Sequence, residues 1–143
     1  MEGLRIREYQ HEDLEKALNM DGRPSERRKH KFALVESIES FYCYVAVLTD
    51  EEILGFVIME DFRDGASHYM VQINSAQKRK GIGRQLTQKV FDRVGVGGHI
   101  SLCVNTDNQE AIDFYEAMKF TRSGFTDGYR KNQHKYWYQK DLK

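Results

Sequence analysis

Two glycines one residue apart, with cations on both sides, mark the stretch Gln77-Lys78-Arg79-Lys80-Gly81-Ile82-Gly83-Arg84. A strand-like run, His68 to Ile73, precedes it. A helical pattern from Ile82 to Val94 follows, with Ile82, Leu86, Val90, Phe91 and Val94 recurring at three- and four-residue spacing. A turn of this kind suits an anion. The first N–H groups of a helix have no internal partner and lie at the positive end of its dipole. Gly81 and Gly83 carry no Cβ, so an anion can come close to the main chain. Lys78, Arg79, Lys80 and Arg84 add positive charge, which points to a diphosphate. The same residues would also suit a tight loop beside a solvated basic patch. Two other phosphate motifs do not fit. Leu86 stands where a dinucleotide fingerprint needs its third glycine, and no Gly-Lys-Ser/Thr follows as a P-loop requires.

The surrounding elements follow from periodicity and turn residues. Leu4 to Arg7 alternates and predicts a first strand; His11 to Met20 predicts a short helix with Leu14, Ala17 and Leu18 on one face. Asp21-Gly22-Arg23-Pro24 ends it, and Ser25 to Ile38 predicts a second helix presenting Phe32, Leu34, Val35 and Ile38. Phe41 to Thr49 and Ile53 to Glu60 predict a hairpin, with His68 to Ile73 as the third antiparallel strand. Gly95-Val96-Gly97-Gly98 stops the helix that follows the loop. His99 to Val104 predicts a strand. Asp107 to Met118 predicts a helix capped by Asp107 and Glu110, with Ala111, Ile112, Tyr115 and Met118 inward. Phe120 to Thr126 and His134 to Leu142 predict two terminal strands. With no repeat and no linker, residues 1–143 read as a single α+β domain.

Composition narrows the partners. Lys plus Arg and Asp plus Glu are 22 each, so the formal net charge is zero, which argues against a nucleic-acid or membrane-surface binder. The charge is segregated, with Arg23, Arg27, Arg28, Lys29 and Lys31 early and an acidic middle including Glu60, Asp61 and Asp64. Cys43 and Cys103 lie in apolar runs and read as buried reduced thiols; five scattered histidines give no metal pattern. No signal pattern or long apolar run occurs, so a cytoplasmic location is expected.

Taken together, the element order and two motifs resemble the GNAT superfamily of acetyl-CoA-dependent N-acetyltransferases over nearly the whole chain. Lys78-Arg79-Lys80-Gly81-Ile82-Gly83 is similar to the family's Arg/Gln-x-x-Gly-x-Gly/Ala loop, with lysine as a mild departure at the first position and Ser75 where many members have proline. Leu102, Val104, Asn108, Ala111 and Tyr115 match the second motif, Leu-x-Val-x-x-x-Asn-x-x-Ala-x-x-x-Tyr; Lys119-Phe120 replaces its usual Gly-Phe, leaving the helix without its C-terminal glycine.

The resemblance implies a mixed, mostly antiparallel sheet of about seven strands, splayed in the middle and flanked by about four helices. It implies acetyl-CoA as acyl donor, no metal, and direct transfer to a primary amine. Val71, Gln72 and Ile73 would meet the pantetheine and thioester; Lys78, Arg79, Lys80, Gly81, Ile82, Gly83 and Arg84 would hold the pyrophosphate. Asn108 would act at the coenzyme as well as at a helix start. Tyr115 takes the position of the general acid toward sulfur, although an ordinary core tyrosine would also fit an amphipathic helix.

The amine must first lose a proton, its ordinary pKa being about 10.4. Glu60, Asp61 and His68 are candidate bases, Glu60 first; a water chain would serve equally. Acidic residues around Glu60 and Asp61 favour a cationic amine, while the basic 23–31 segment argues for an anionic feature. A non-catalytic acyl-CoA-binding regulatory module, a protein N-terminal or lysine acetyltransferase, and a homodimer through the last strands are compatible with the same resemblance.

Overall fold

The structure, a computed structural model, describes residues 3–20, 26–76, 81–128 and 133–143. Its strands are β1 (Arg5–Glu8), β2 (Phe41–Val47), β3 (Ile53–Asp61), β4 (Ser67–Ser75), β5 (His99–Asn105), β6 (Thr121–Thr126) and β7 (Lys135–Asp141). They form one sheet in the order β1-β2-β3-β4-β5-β7-β6, antiparallel throughout except between β4 and β5. The helices are α1 (Leu14–Leu18), α2 (Glu26–Ser37), α3 (Ile82–Val94) and α4 (Gln109–Ala117). The mixed seven-strand sheet implied by the resemblance is present.

Alternation along the strands makes two cores. β2 sends Cys43, Val45 and Val47 toward Ala17 of α1 and Phe32 of α2. Its intervening Tyr42, Tyr44 and Ala46 pack with Ile82, Leu86 and Val90 of α3 and Ile112 and Tyr115 of α4. Leu86 and Val90 are fully buried, each contributing about 1.5–3 kcal/mol. Gly55 on β3 sets how closely α3 approaches. A Cβ there would stand 2.8 Å from the Asn74 carbonyl oxygen and 3.0 Å from Ile82 Cγ2.

β4 carries the feature that opens the sheet. Ile58 pairs with Gln72 and Met59 with Met70, so Val71 is an extra residue, a bulge. A bulge bends its strand and adds twist. The parallel pairing of β4 with β5 runs only through Ser67–His99, His68–Ile100 and Tyr69–Ser101, stopping just short of it. β5 meanwhile stays paired to β7 as far as Asn105. The two strands therefore separate into a wedge.

Several boundaries differ from the sequence expectation. The first predicted helix is a 3-10 turn, His11–Asp13, followed by the short α1. Asp13 is drawn inward there, bonded to both guanidinium nitrogens of Arg7 at 2.8 Å and to the Gln10 N–H at 2.8 Å. β4 extends to Ser75 because Gln72 and Asn74 still pair with β3 although their polarity breaks the apolar pattern. Asn108, not Asp107, caps α4, its side-chain oxygen accepting the Ala111 N–H at 3.2 Å. Ile38 is not an inner-face residue of α2; it is 42% exposed beyond the helix end.

The missing glycine after α4 leaves the motif intact. Lys119 itself adopts φ +70°, the left-handed conformation that glycine would supply. The Phe120 N–H reaches the Tyr115 carbonyl at 3.0 Å and the Lys119 N–H reaches Glu116 at 3.1 Å, a Schellman ending. Its apolar contact is Phe120 against Tyr115, ring centroids 5.8 Å apart. Left-handed backbone costs a side-chain-bearing residue about 1–2 kcal/mol, and glycine's extra unfolded-state entropy returns about half of that. Lys119→Gly is therefore expected to stabilise the fold by about 0.5–1 kcal/mol in urea unfolding. A loss of stability would contradict this account of the turn.

Candidate active site

The wedge between β4 and β5 is a cleft of about 1000 Å³. β4 contributes Tyr69 to Ser75, the start of α3 contributes Gly81 to Arg84, and β5 contributes Cys103 to Asn105. Asn108 and one face of α4, ending in Phe114 and Tyr115, complete one side, with Lys31 of α2 and Lys135 of β7 on the other.

At the start of α3 the local chemistry fits an anion. Gly81 is the N-cap with φ +76° and, having no side chain, cannot itself cap the first turn. A Cβ on Gly81 would meet nothing within 4 Å, so glycine is favoured there by backbone conformation and the space beside it is open. Gly83 is different. A Cβ there would lie 3.4 Å from two atoms of the Phe114 ring, so the residue lets α3 and α4 approach across the cleft. The Thr87 hydroxyl, on a buried residue, donates to the Gly83 carbonyl at 2.8 Å and steadies this turn.

Tyr115 reaches the cleft from α4 while remaining 7% exposed. Its ring packs on Phe114, Phe120 and Tyr138 at centroid distances of 5.4, 5.8 and 6.4 Å. Among the described residues its hydroxyl finds a weak acceptor, the Met70 sulfur at 3.8 Å. Burial, then the nearby Cys103, pushes the phenol up to about 12. The group is thus a protonated donor at neutral pH, weakly engaged and facing the cleft.

Of the residues singled out in the sequence, Val71, Gln72, Ile73, Gly81, Ile82, Gly83, Arg84, Asn108 and Tyr115 all line this cleft. Lys78, Arg79 and Lys80 lie outside the described residues. Glu60 sits on β3 opposite Tyr69, one strand away from the cleft, and is not among the lining residues. Asp61 is likewise not on the wall. His68 is buried and shares a 2.7 Å hydrogen bond with the Tyr42 hydroxyl. Burial holds it below the ordinary histidine value, and Arg93 lies 3.8 Å over the Tyr42 ring beside it.

Sequence reasoning missed Lys31, Tyr69, Cys103 and Lys135 as parts of one site. The Tyr69 hydroxyl is 3.3 Å from the Cys103 sulfur, and its ring is 6.1 Å from Trp137. Burial raises the Tyr69 phenol above its ordinary value, with Cys103 second. These residues are far apart in the chain; the pairing of β5 with both β4 and β7, and the contact of Lys31 on α2 with Gln72, bring them together. Among the described residues no three metal-ligating side chains converge, and no helix is long and apolar enough to cross a membrane.

The profile of a family described as Acetyltransferase (GNAT) family matches residues 5–120. An uncharacterized protein of Mycobacterium leprae (strain TN) is 29% identical over 98 residues, covering 66% of this chain. The chain spans only 27% of that longer relative. The ribosomal-protein-S18-alanine N-acetyltransferase from Escherichia coli superposes with a TM-score of 0.78 at 19% identity, covering 95% of this chain and 92% of that one. The spermidine/spermine N-acetyltransferase SpeG from Vibrio cholerae gives 0.72, also at 19% identity, covering 96% and 91%. At such identities these structures speak to the fold.

Proposed function

The chain belongs to the GNAT acetyltransferase family, and from that premise we propose that it transfers an acetyl group from acetyl-CoA directly to a primary amine bound in the cleft. One observation carries the reading: a helix start with glycine at its N-cap and a protonated tyrosine donor open onto the same cleft, where β4 and β5 part. The residues fit the coenzyme. The N–H groups at Ile82, Gly83 and Arg84, which have no acceptor within α3, suit a pyrophosphate. Beyond Tyr69, β4 has no β5 partner, so its backbone groups on that side are free of the ladder and suit amide-bearing pantetheine. Bound there, the coenzyme supplies an activated thioester.

The chain's own residues then do three things in this reading. The β4 backbone past the Val71 bulge orients the carbonyl. The cleft holds the neutral amine against it, so that a C–N bond forms as the C–S bond breaks. Tyr115 donates its O–H to the sulfur as it departs. The amine's surplus proton leaves to water at the open mouth. Glu60, opposite Tyr69 on β3 and off the cleft wall, makes no contact with the amine in this reading.

Thiol release from acetyl-CoA over a panel of polyamines, aminoglycosides, amino acids and peptides tests the proposal. Amine-dependent release is expected. Coenzyme binding with no release from any amine would reduce the chain to an acyl-CoA-binding module.

A further inference from the structure

The two faces of the sheet give the cleft two different approaches. α3 and α4, with the proposed coenzyme site, cover one face; Val71 packs instead with the core beneath α1 and α2. On that second side Lys31 of α2 donates to the Gln72 side-chain oxygen at 3.1 Å, and Lys135 stands at the start of β7 beside Asn105. Both lysines line the cleft. Neither has a carboxylate partner among the described residues. The one carboxylate on the described wall, Glu110, belongs to α4 on the coenzyme side.

Resting on the acetyl-transfer reading, we propose that the acceptor is an amine carrying a carboxylate, held by Lys31 and Lys135 on the α2 side while its amino group faces the thioester. The Lys31 ammonium is half-buried, and it is held below the ordinary lysine value first by burial, then by Arg27, Lys135 and Arg28. Lys31 and Lys135, which lack a carboxylate partner among the described residues, would find that partner in an incoming anion. The Gln72 carboxamide orients Lys31 into the cleft. A polyamine, by contrast, would bring a second cation against this cluster. The acidic residues at Glu60 and Asp61 do not oppose this, because they are not on the cleft wall.

The test compares each of a set of amino acids with its own carboxamide, and both with spermidine, by thiol release. The acid is expected to exceed its carboxamide in kcat/KM by about tenfold or more, as for a hydrogen bond to a charged group. Lys31→Gln and Lys135→Gln should shrink that preference, and Lys31→Arg should keep it. Circular dichroism shows that each variant is folded; if folded Lys31→Gln bound coenzyme A more weakly by calorimetry, the lysine would be serving the coenzyme's phosphates and the proposal would fall. Preference for carboxamides or spermidine would also overturn it.

A second arm does not depend on turnover. N-acetylglutamate should bind the protein, alone or saturated with coenzyme A, more tightly than neutral N-acetylglutaminamide. Equal binding refutes the anion site. Selective binding without thiol release from any amine would instead uphold the anion site and sink the transferase reading.

Discussion

Gly83→Val is expected to lower coenzyme A affinity more than 100-fold in calorimetry while the protein stays folded. Gly83 is the second residue of α3, where the N–H groups have no helical acceptor. Its missing Cβ would already touch Phe114 at 3.4 Å, so alanine fits at contact distance. Valine adds two methyl groups that must either displace the Phe114 ring or fill the space in front of those N–H groups. Either outcome closes the approach of an anion to the main chain. A companion change, Gly81→Val, attacks the same site differently: at φ +76° any side chain there carries strain of about 1–2 kcal/mol, with no neighbour to clash against. Unchanged coenzyme A affinity in Gly83→Val would show that this helix start does not hold the pyrophosphate.

Tyr115→Phe is expected to lower turnover by about 10- to 100-fold with coenzyme affinity nearly unchanged. The size follows from the acidity of the two groups. The phenol stands near 12, whereas an ordinary thiol is near ~8.5, so complete proton transfer to the leaving thiolate is uphill. The hydroxyl therefore acts chiefly as a hydrogen-bond donor to developing charge, and such a bond is worth about 1.5–3 kcal/mol. The pH profile follows with its sign. Loss of the Tyr115 proton would lower activity only as pH rises toward 12, so no descending limb from this residue should appear between pH 7 and about 10. The ring contacts to Phe114, Phe120 and Tyr138 survive the substitution, and only the 3.8 Å contact to Met70 is lost. Wild-type turnover in the Phe variant, measured where chemistry limits the rate, would make Tyr115 a packing residue.

The legible parts of the chain were those with local causes. α3 runs from Ile82 to Val94 as its periodicity predicts, because Leu86 and Val90 must face one core and Gly95 breaks the turn. The order of the strands was readable because each is bounded by its own turn. Asp107 and Asn108 compete for the same capping role, and their choice depends on how the chain leaves β5, which no spacing rule encodes. The conformation of Lys119 is a tertiary override: the contact of Phe120 with Tyr115 outweighs the preference of lysine against positive φ. The second side of the site was illegible for a geometric reason. Lys31, Cys103 and Lys135 belong to three distant segments, and their meeting depends on a register that a one-residue slip would reverse.

The narrow join between β4 and β5 also orders the folding of the chain in time. β2, β3 and β4 are linked by the short turns over 48–52 and 62–66, so their ladders close small loops at little entropic cost. Joining β4 to β5 requires the whole crossover over 76–98, and its reward is only three residue pairs. Non-local parallel pairing of this kind is slow. During synthesis the residues of β2 to β4 emerge before any residue of β5, while β5 to β7 pair as a second antiparallel set of their own. The wedge that receives the ligand is therefore the seam between the part of the sheet assembled early and the part assembled late.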